Sequence, residues 1–272
     1  AIAKGYYIAR TGRPGPVVID ISKNAQTEEF DYAYKPCIYL RSYRPRPEID
    51  AEAIRRAVEM INASERPLLL VGQGVKLSGA ESRLLALAEA AGVPMAETLM
   101  GISAVPNDHP LFVGNLGMHG NIAANEMTQR SDLIVAVGMR FSDRVTGDVK
   151  NYAPNARIVH IDIDPAELGK NLPVDLPILA DAADALEAMM TGIRHRDRSE
   201  WIDVAAACAR REYEEVIRPS SDPEGRYISM YDVIATRNST APAVSSPPAD
   251  SARWASACPP HWARNSAYRT GR

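Results

Sequence analysis

The segment at residues 116–147, LGMHGNIAANEMTQRSDLIVAVGMRFSDRVTG, contains the pattern that decides the fold. It predicts a loop, a helix at 119–129, a buried strand at Leu133–Val137 and a polar loop that carries Arg140 and Arg144. In an open α/β sheet, ligands bind outside the carboxyl ends of the strands, where this loop would lie. The segment therefore indicates a ligand site, with a surface loop whose arginines are merely solvated as the alternative.

The flanking sequence repeats this alternation of strands and helices. Short apolar runs predict further strands at residues 67–72, 93–98, 158–162 and 176–180. Apolar residues at helical spacing predict helices at residues 50–63, 78–91, 182–190 and 198–217. Such alternation is typical of a parallel sheet covered by helices on both faces. We therefore expect an α/β fold with a Rossmann-like, doubly wound, six-stranded parallel sheet.

Composition limits the classes of function. The chain has 272 residues, a net charge of −3 and 46% hydrophobic residues, which fits one large or two small globular domains. Its 31 basic and 34 acidic residues are well mixed, so neither a nucleic acid nor a membrane surface is expected as a partner. The cysteines, Cys37, Cys208 and Cys258, are too widely spaced for a disulfide framework or a metal site, which favours a cytoplasmic setting.

Three sequence motifs resemble one enzyme family. LGMHG (116–120), VGMRFSDRVTG (137–147) and HIDIDPAELGKN (160–171) are similar, in order and spacing, to the central domain of the acetolactate synthase large-subunit family. GRPGPVVIDI (12–21) resembles the end of that family's N-terminal domain, and the DRVTG and ELGKN pieces favour this family over glyoxylate carboligase or oxalyl-CoA decarboxylase.

The resemblance implies a function. Members condense two pyruvates to 2-acetolactate, or pyruvate with 2-ketobutyrate, in branched-chain amino-acid biosynthesis. They use thiamine diphosphate, Mg²⁺ and FAD, and form homo-oligomers with a small regulatory subunit. The central domain holds FAD, which undergoes no net redox change.

Two parts of the flavin site have support from residue type alone. Arginine suits bidentate contact with phosphate oxygens, so Arg140 at a strand end indicates a diphosphate. Asp162 and Asp164, two apart at the end of a predicted strand, suggest contacts to ribose hydroxyls. A metal site or an acid/base pair is the alternative for these two carboxylates, although no third ligand is apparent.

The resemblance extends the expected FAD site to 22 positions. These are Arg13, Gly72, Gln73, Gly74, Thr98, Leu99, Met100, Met118, His119, Gly138, Met139, Arg140, Asp143, Arg144, Val145, Asp162, Ile163, Asp164, Glu167, Asn171, Asp181 and Ala182. Simpler interpretations stay open at five places: an ordinary βα turn for VGQG (71–74), a strand end with a turn for ETLMG (97–101), a proline-framed turn for Arg13, a cap or structural hydrogen bond for His119 and an exposed ion pair for Asp143.

We expect five segments along the chain. They are the end of an N-terminal domain (1–24, with a helix remnant and a strand at 16–21), a linker (25–47), the central FAD-binding domain (48–217), a second linker (218–236) and a tail (237–272). Since a free-standing domain would seldom begin on the last helix and strand of another unit, we expect the N-terminus to be a truncation.

The tail has an aberrant composition. Residues 235–272 contain no Leu, Ile, Phe, Met, Glu or Lys, so they cannot bury enough apolar surface to offset their ordering entropy. Read one base out of frame, residues 246–263 permit TSGGLGTMGFGLPAALG, which resembles the start of the family's C-terminal domain. We therefore expect a frameshifted, disordered tail.

The motifs that would hold thiamine diphosphate are not found in the sequence. The resemblance locates its activating glutamate upstream of Ala1 and its Mg²⁺–diphosphate ligands in a GDG-to-Asn motif, so we expect no catalytic or metal-binding residue here. The chain alone should then be inactive, with weakened FAD binding. Two alternatives remain: another thiamine-diphosphate carboligase or decarboxylase, whose middle domain binds ADP or nothing, and a non-catalytic nucleotide-binding module.

Overall fold

The computed structural model describes residues 1–217, so the expected second linker and frameshifted tail lie outside the described residues. In this range the helices are α1 (Ile2–Arg10), α2 (Lys23–Thr27), α3 (Ala51–Ala63), α4 (Gln73–Ser78), α5 (Glu81–Ala91), α6 (Ile122–Arg130), α7 (Asp143–Thr146), α8 (Ala182–Met190) and α9 (Ser199–Glu212). The strands are β1 (Pro67–Val71), β2 (Met95–Glu97), β3 (Phe112–Asn115), β4 (Leu133–Val137), β5 (Arg157–Asp162) and β6 (Leu176–Leu179). Two 3₁₀ turns, Leu99–Gly101 and Val149–Asn151, and a π-helical turn, Tyr213–Ile217, complete the structure.

The six strands form one parallel sheet in the order β3-β2-β1-β4-β5-β6. The chain winds outward from β1 to one edge, returns to β4 beside β1, and winds outward again to the other edge. This is the doubly wound arrangement that the sequence predicts, and the strand order reverses between β1 and β4.

Apolar side chains cover both faces of the sheet, as a central parallel strand requires. In β1, Leu69 and Val71 belong to a core with α3, α5 and α8, whereas Leu68 and Leu70 belong to a second core with α6 and α9. All five residues of β1 and of β4 are buried. The carboxyl ends of the strands are therefore fixed by packing on two sides.

Side-chain hydrogen bonds fix both ends of α3. The Asp50 carboxylate accepts hydrogen bonds from the amides of Glu52 (2.9 Å) and Ala53 (3.2 Å), which satisfies the first turn of α3. At the opposite end, buried Arg198 donates to the carbonyls of Ile61 (2.8 Å) and Ser64 (3.1 Å) and so attaches α9 to α3.

Some predicted elements differ from the observed ones. The strand expected at 16–21 is wrong: this segment has no regular secondary structure and pairs with no strand among the described residues, and a strand without a neighbour leaves its backbone groups to water. The single helix expected at 78–91 is interrupted because Gly79 takes a left-handed conformation (φ +63°) and ends α4.

Two further elements were not located from the sequence. Strand β3 completes the six-stranded sheet, but its sequence, FVGN, is short, includes a glycine and lies at the sheet edge. The loop expected after β4 contains the short helix α7. The expectation that Asp164 lies on a strand is wrong: β5 ends at Asp162, and Asp164 follows it, with its amide donating to the Asp162 carboxylate (2.9 Å).

Candidate functional site

A cleft of about 1120 Å³ lies along the carboxyl ends of the strands. It extends across the boundary between β1 and β4, the crevice in which open α/β sheets bind ligands. Residues that follow all six strands contribute to its lining, and Gly12 and Arg13 close one side from the N-terminal segment.

Arg140 and Arg144 provide uncompensated positive charge at this cleft. Both are exposed, and within residues 1–217 neither guanidinium makes an ion pair or a hydrogen bond. Their backbones are fixed, because Asn171 donates to the Arg140 carbonyl (2.8 Å) and the Met118 amide donates to the Arg144 carbonyl (2.9 Å). Two guanidinium groups on an anchored loop are suited to an anionic ligand such as a diphosphate.

The wall next to β5 is acidic. Arg13 donates to Asp164 (2.7 Å) and to Glu167 (2.7 Å), and both are ion pairs. The hydrogen bond from Arg13 lowers the pKa of Asp164. Burial acts to raise the pKa of Glu167, but the hydrogen bonds from Arg13 and Lys170 lower it overall. Burial dominates at Asp162 and raises its pKa.

An apolar wall of the cleft is formed by side chains that follow β2 and β3. Leu99, Met100 and Met118 are 76%, 59% and 63% exposed, although large apolar side chains are usually buried. They line the same cleft as the unpaired arginines. Exposed apolar side chains beside unpaired cations fit a ligand that carries both a flat ring system and an anionic group.

The glycines of VGQG have a structural explanation. The amide of Gly72 donates to the Val137 carbonyl (2.9 Å), and the amide of Gly74 donates to the Gly138 carbonyl (3.0 Å). A Cβ atom at Gly72 would lie 2.1 Å from the Gly138 oxygen. These glycines let two backbone turns approach each other, and their amides are not free to hold a phosphate.

All but four of the positions predicted from the sequence line the cleft. The four that do not are Gly72, Asp143, Asp164 and Asn171. Gly72 packs against Gly138, Asp143 begins α7, Asp164 is paired with Arg13, and the Asn171 amide group donates to the backbone of Arg140. Each of these four therefore contacts other residues of the protein rather than the cleft.

Several lining residues were missed in the sequence. Among them, Leu77 and Ser78 lie one helical turn beyond Gln73 and Gly74 on α4, so the i, i+4 spacing could have identified them. The Ser78 hydroxyl donates to Asp181 (2.6 Å), whose carboxylate also caps α8. Asn115 was missed because β3 was missed; its buried Oδ1 has no hydrogen-bond partner within residues 1–217.

Comparison with known families identifies the domain. The model of the family described as "Thiamine pyrophosphate enzyme, central domain" matches residues 54–189, half of the chain. The chain belongs to this family.

Several curated proteins are similar to this chain over most of its length. It is 44% identical over 208 residues to the acetolactate synthase large subunit of Corynebacterium glutamicum, covering 75% of this chain and 33% of that protein. It is 45% identical over 204 residues to a probable acetolactate synthase large subunit of Methanocaldococcus jannaschii, covering 73% and 34%. The Haemophilus influenzae large subunit is 40% identical over 191 residues, covering 70% and 33%. The chain thus spans about a third of the length of these curated relatives.

The described part of the chain has no group of three or more His, Cys, Asp or Glu side chains that could hold a metal ion. Asp162 and Asp164 are therefore not part of such a group within residues 1–217. Among the described helices, none has both the length and the apolar character needed to cross a membrane.

Proposed function

We propose that the cleft binds FAD and that these residues form the flavin-binding part of an acetolactate synthase large subunit. The observation that carries the proposal is the combination, in one cleft, of two unpaired arginines with exposed Leu99, Met100 and Met118. Similarity to large subunits named acetolactate synthase supports the choice of enzyme.

The lining residues fit the parts of FAD. Arg140 and Arg144 would hold the diphosphate, because arginine binds phosphate oxygens at two points. Asp162 and Glu167 would accept hydrogen bonds from ribose hydroxyls. Leu99, Met100 and Met118 would contact the isoalloxazine ring, with His119 nearby; Asp181 and Ala182 would lie on the adenine side.

Bound FAD would serve as a structural element without net redox change, as the family resemblance implies. Within this chain, the residues bind and orient the cofactor, and the apolar wall excludes water from one face of its ring. The chemistry itself belongs to the cofactors of the family, while the protein supplies position and electrostatics.

We propose for the whole protein the condensation of two 2-keto acids to 2-acetolactate or its homologue, with thiamine diphosphate and Mg²⁺. The described residues do not fit those two cofactors, since no metal-binding cluster is present among them, so we derive no catalytic step here. We also propose a homo-oligomer with a regulatory subunit. A cytoplasmic location agrees with the free Cys37 and Cys208.

The proposal is tested by titrating the chain with FAD and following flavin fluorescence. Arg140→Ala should weaken binding roughly 10- to 100-fold, because a hydrogen bond to a charged group contributes about 1.5–3 kcal/mol. Arg56→Ala is the matched control, since Arg56 is exposed on α3 and does not line the cleft.

ADP is the second ligand to titrate, because it separates this proposal from the main alternative. Another carboligase or decarboxylase of the family could bind ADP in the same crevice through similar contacts to ribose and phosphate. If the chain bound ADP but not FAD, and Arg140→Ala had no effect, the flavin proposal would be wrong.

A further inference from the structure

His160 is a buried polar residue on a central strand whose neighbours are apolar. It lies on β5, pairs in register with Ala136 of β4, and is only 1% exposed. Its Nε2 atom lies 2.7 Å from the Met139 carbonyl oxygen, whereas its Nδ1 atom is buried without a hydrogen-bond partner in residues 1–217. A buried polar side chain is costly unless it is hydrogen-bonded, so this single contact calls for an explanation.

The hydrogen bond fixes the protonation state of the ring. A carbonyl oxygen can only accept, so Nε2 must carry a proton. In the neutral ring Nδ1 then holds a lone pair; a charged ring would add a buried N–H with no acceptor. Burial also lowers the pKa of His160, although the hydrogen bond to Met139 and the charges of Asp162 and Glu167 act in the opposite direction.

The loop that His160 contacts has an unfavourable backbone conformation. Gly138 has φ +60° and Phe141, a residue with a bulky side chain, has φ +48°. Left-handed conformations at non-glycine residues cost of order 1–3 kcal/mol and persist only where the surroundings impose them. Arg140 lies between these two positions, so its direction depends on the same backbone.

Three contacts hold residues 139–141 of this loop. His160 anchors the Met139 carbonyl, and Asn171 anchors the Arg140 carbonyl at 2.8 Å. The Phe141 ring packs edge-on between His160 (centroids 5.1 Å apart, 81° between planes) and Tyr152 (6.1 Å, 79°). His160 contributes to two of the three contacts, one polar and one aromatic.

We propose that His160 is a positioning residue of the nucleotide site. Its neutral ring donates to the Met139 carbonyl and supports Phe141, and so it fixes the backbone that presents Arg140 to the cleft. The predicted effect of His160 on FAD binding rests on the proposed flavin site. Its predicted effect on the loop backbone does not.

Two nearly isosteric substitutions separate hydrogen bonding from packing. His160→Gln retains a donor near the position of Nε2, whereas His160→Met fills similar volume without one. FAD titration should show a dissociation constant about three- to tenfold higher for His160→Met than for the wild type, with His160→Gln recovering most of the loss. Equal affinities for Met and Gln variants, with a wild type that binds FAD, would overturn the proposal.

A measurement without ligand keeps the two proposals distinguishable. Amide hydrogen exchange across residues 138–142 should be faster in His160→Met than in His160→Gln, while exchange in β1 stays the same. If the wild type bound no FAD but this difference appeared, the flavin site would be wrong and the positioning role would stand. No difference in exchange would refute the positioning role.

The ring itself can be observed in the unmutated protein if a variant does not fold. Nitrogen-15 NMR should find His160 neutral and protonated at Nε2 near pH 7. An Nδ1-protonated or charged ring would contradict the proposal. Asp162 and Glu167 are the titratable groups whose charges act on the pKa of His160.

The direction of the pH effect follows from the lowered pKa. Below about pH 6.5 the histidine protonates more readily in the unfolded protein than in the folded one. The free energy of unfolding therefore falls as the pH falls. The decrease should be smaller in His160→Gln, while the contributions of Asp162 and Glu167 remain in both proteins. Parallel curves would contradict the buried neutral histidine.

Discussion

At the scale of the residue, the site is organised by the balance of charge between its two ends. Asp162, Asp164 and Glu167 cluster after β5, where they would repel the diphosphate that Arg140 and Arg144 are suited to bind. Arg13, from a segment far away in sequence, forms ion pairs with two of the three. Arg13 could therefore support binding by neutralising carboxylates or by direct contact with the ligand.

A set of substitutions distinguishes these two roles of Arg13. Arg13→Gln should weaken FAD binding by roughly fivefold, the effect of about 1 kcal/mol for an exposed ion pair. If Arg13 acts through charge, adding Asp164→Asn and Glu167→Gln should restore most of the affinity, because both changes remove a negative charge and the Gln amide at position 167 keeps an acceptor for ribose.

The control for this experiment is Arg83→Gln, measured by the same flavin titration. Arg83 makes a comparable ion pair with Glu187 (3.0 Å), and neither residue lines the cleft, so this replacement should leave affinity unchanged. Failure of the triple variant to recover would assign Arg13 a direct contact with FAD.

At the scale of the element, the approach of two turns at the reversal of strand order forms the floor of the cleft. The turn from β1 into α4 contacts the turn after β4 through Gly72, Gly74 and Gly138. Hydrogen bonds between the two turns extend the β1–β4 pairing beyond the strands themselves. The two turns that flank the crevice can therefore approach each other only because these three positions carry no side chain.

Gly72→Ala tests this contact. The added Cβ would lie 2.1 Å from the Gly138 oxygen, in backbone that cannot rotate away, so the free energy of unfolding in urea should fall by about 3 kcal/mol or more. Gly79→Ala is the control, because Gly79 also has a positive φ (+63°) but an added Cβ there would meet no atom within 4 Å. It should lower the free energy of unfolding by only about 1–2 kcal/mol. Equal losses of stability in the two variants would indicate that the close approach of the two turns does not require a glycine at position 72.

The accuracy of prediction also varied by element. The bounds of β4 and α8 agree with the expected ones, since both carry an uninterrupted apolar pattern between polar ends. The apolar run at 16–21 resembles a strand equally well, yet no described strand lies beside it. Local pattern indicates the capacity to form a strand, and only a neighbour completes one.

At the scale of the whole molecule, the packed core does not involve the N-terminal segment. Both apolar clusters consist of buried residues between Ala53 and Cys208, with Ile49 packed at the margin. The N-terminal segment contacts the domain at Arg13 and Arg46 through exposed ion pairs, which contribute little to stability. The boundary predicted at residue 48 is therefore open to a direct test.

A chain of residues 48–217 should unfold cooperatively, with a midpoint within about 4 °C of that of the full chain, as an effect near 1 kcal/mol implies. Its FAD affinity should fall to that of Arg13→Gln. A chain of residues 48–190 is the control: it loses α9, including buried Trp201, which donates to the Pro67 carbonyl (2.9 Å), and should not unfold cooperatively. Circular dichroism on heating measures both. A broad, non-cooperative transition for 48–217 would place the domain boundary elsewhere.

Sequence alone determined the fold class, the family and most positions of the cleft. It could do so because apolar periodicity reports local structure, and because the ends of parallel strands meet at one edge whatever their order. Arg140 and Arg144 were identified in this way, in the loop after a buried strand, whereas Leu99 and Met100 came from the resemblance to the family.

Only the tertiary structure decided which residues act on one another across that edge. The pairing of Arg13 with Glu167, the contact of Gly72 with Gly138 and the bond from His160 to Met139 join residues 154, 66 and 21 positions apart. For the same reason, the hydrogen bond from the Asn171 side chain to the Arg140 carbonyl was not foreseen from the sequence. Such contacts depend on how strands and turns pack in three dimensions, which no local pattern of residues encodes.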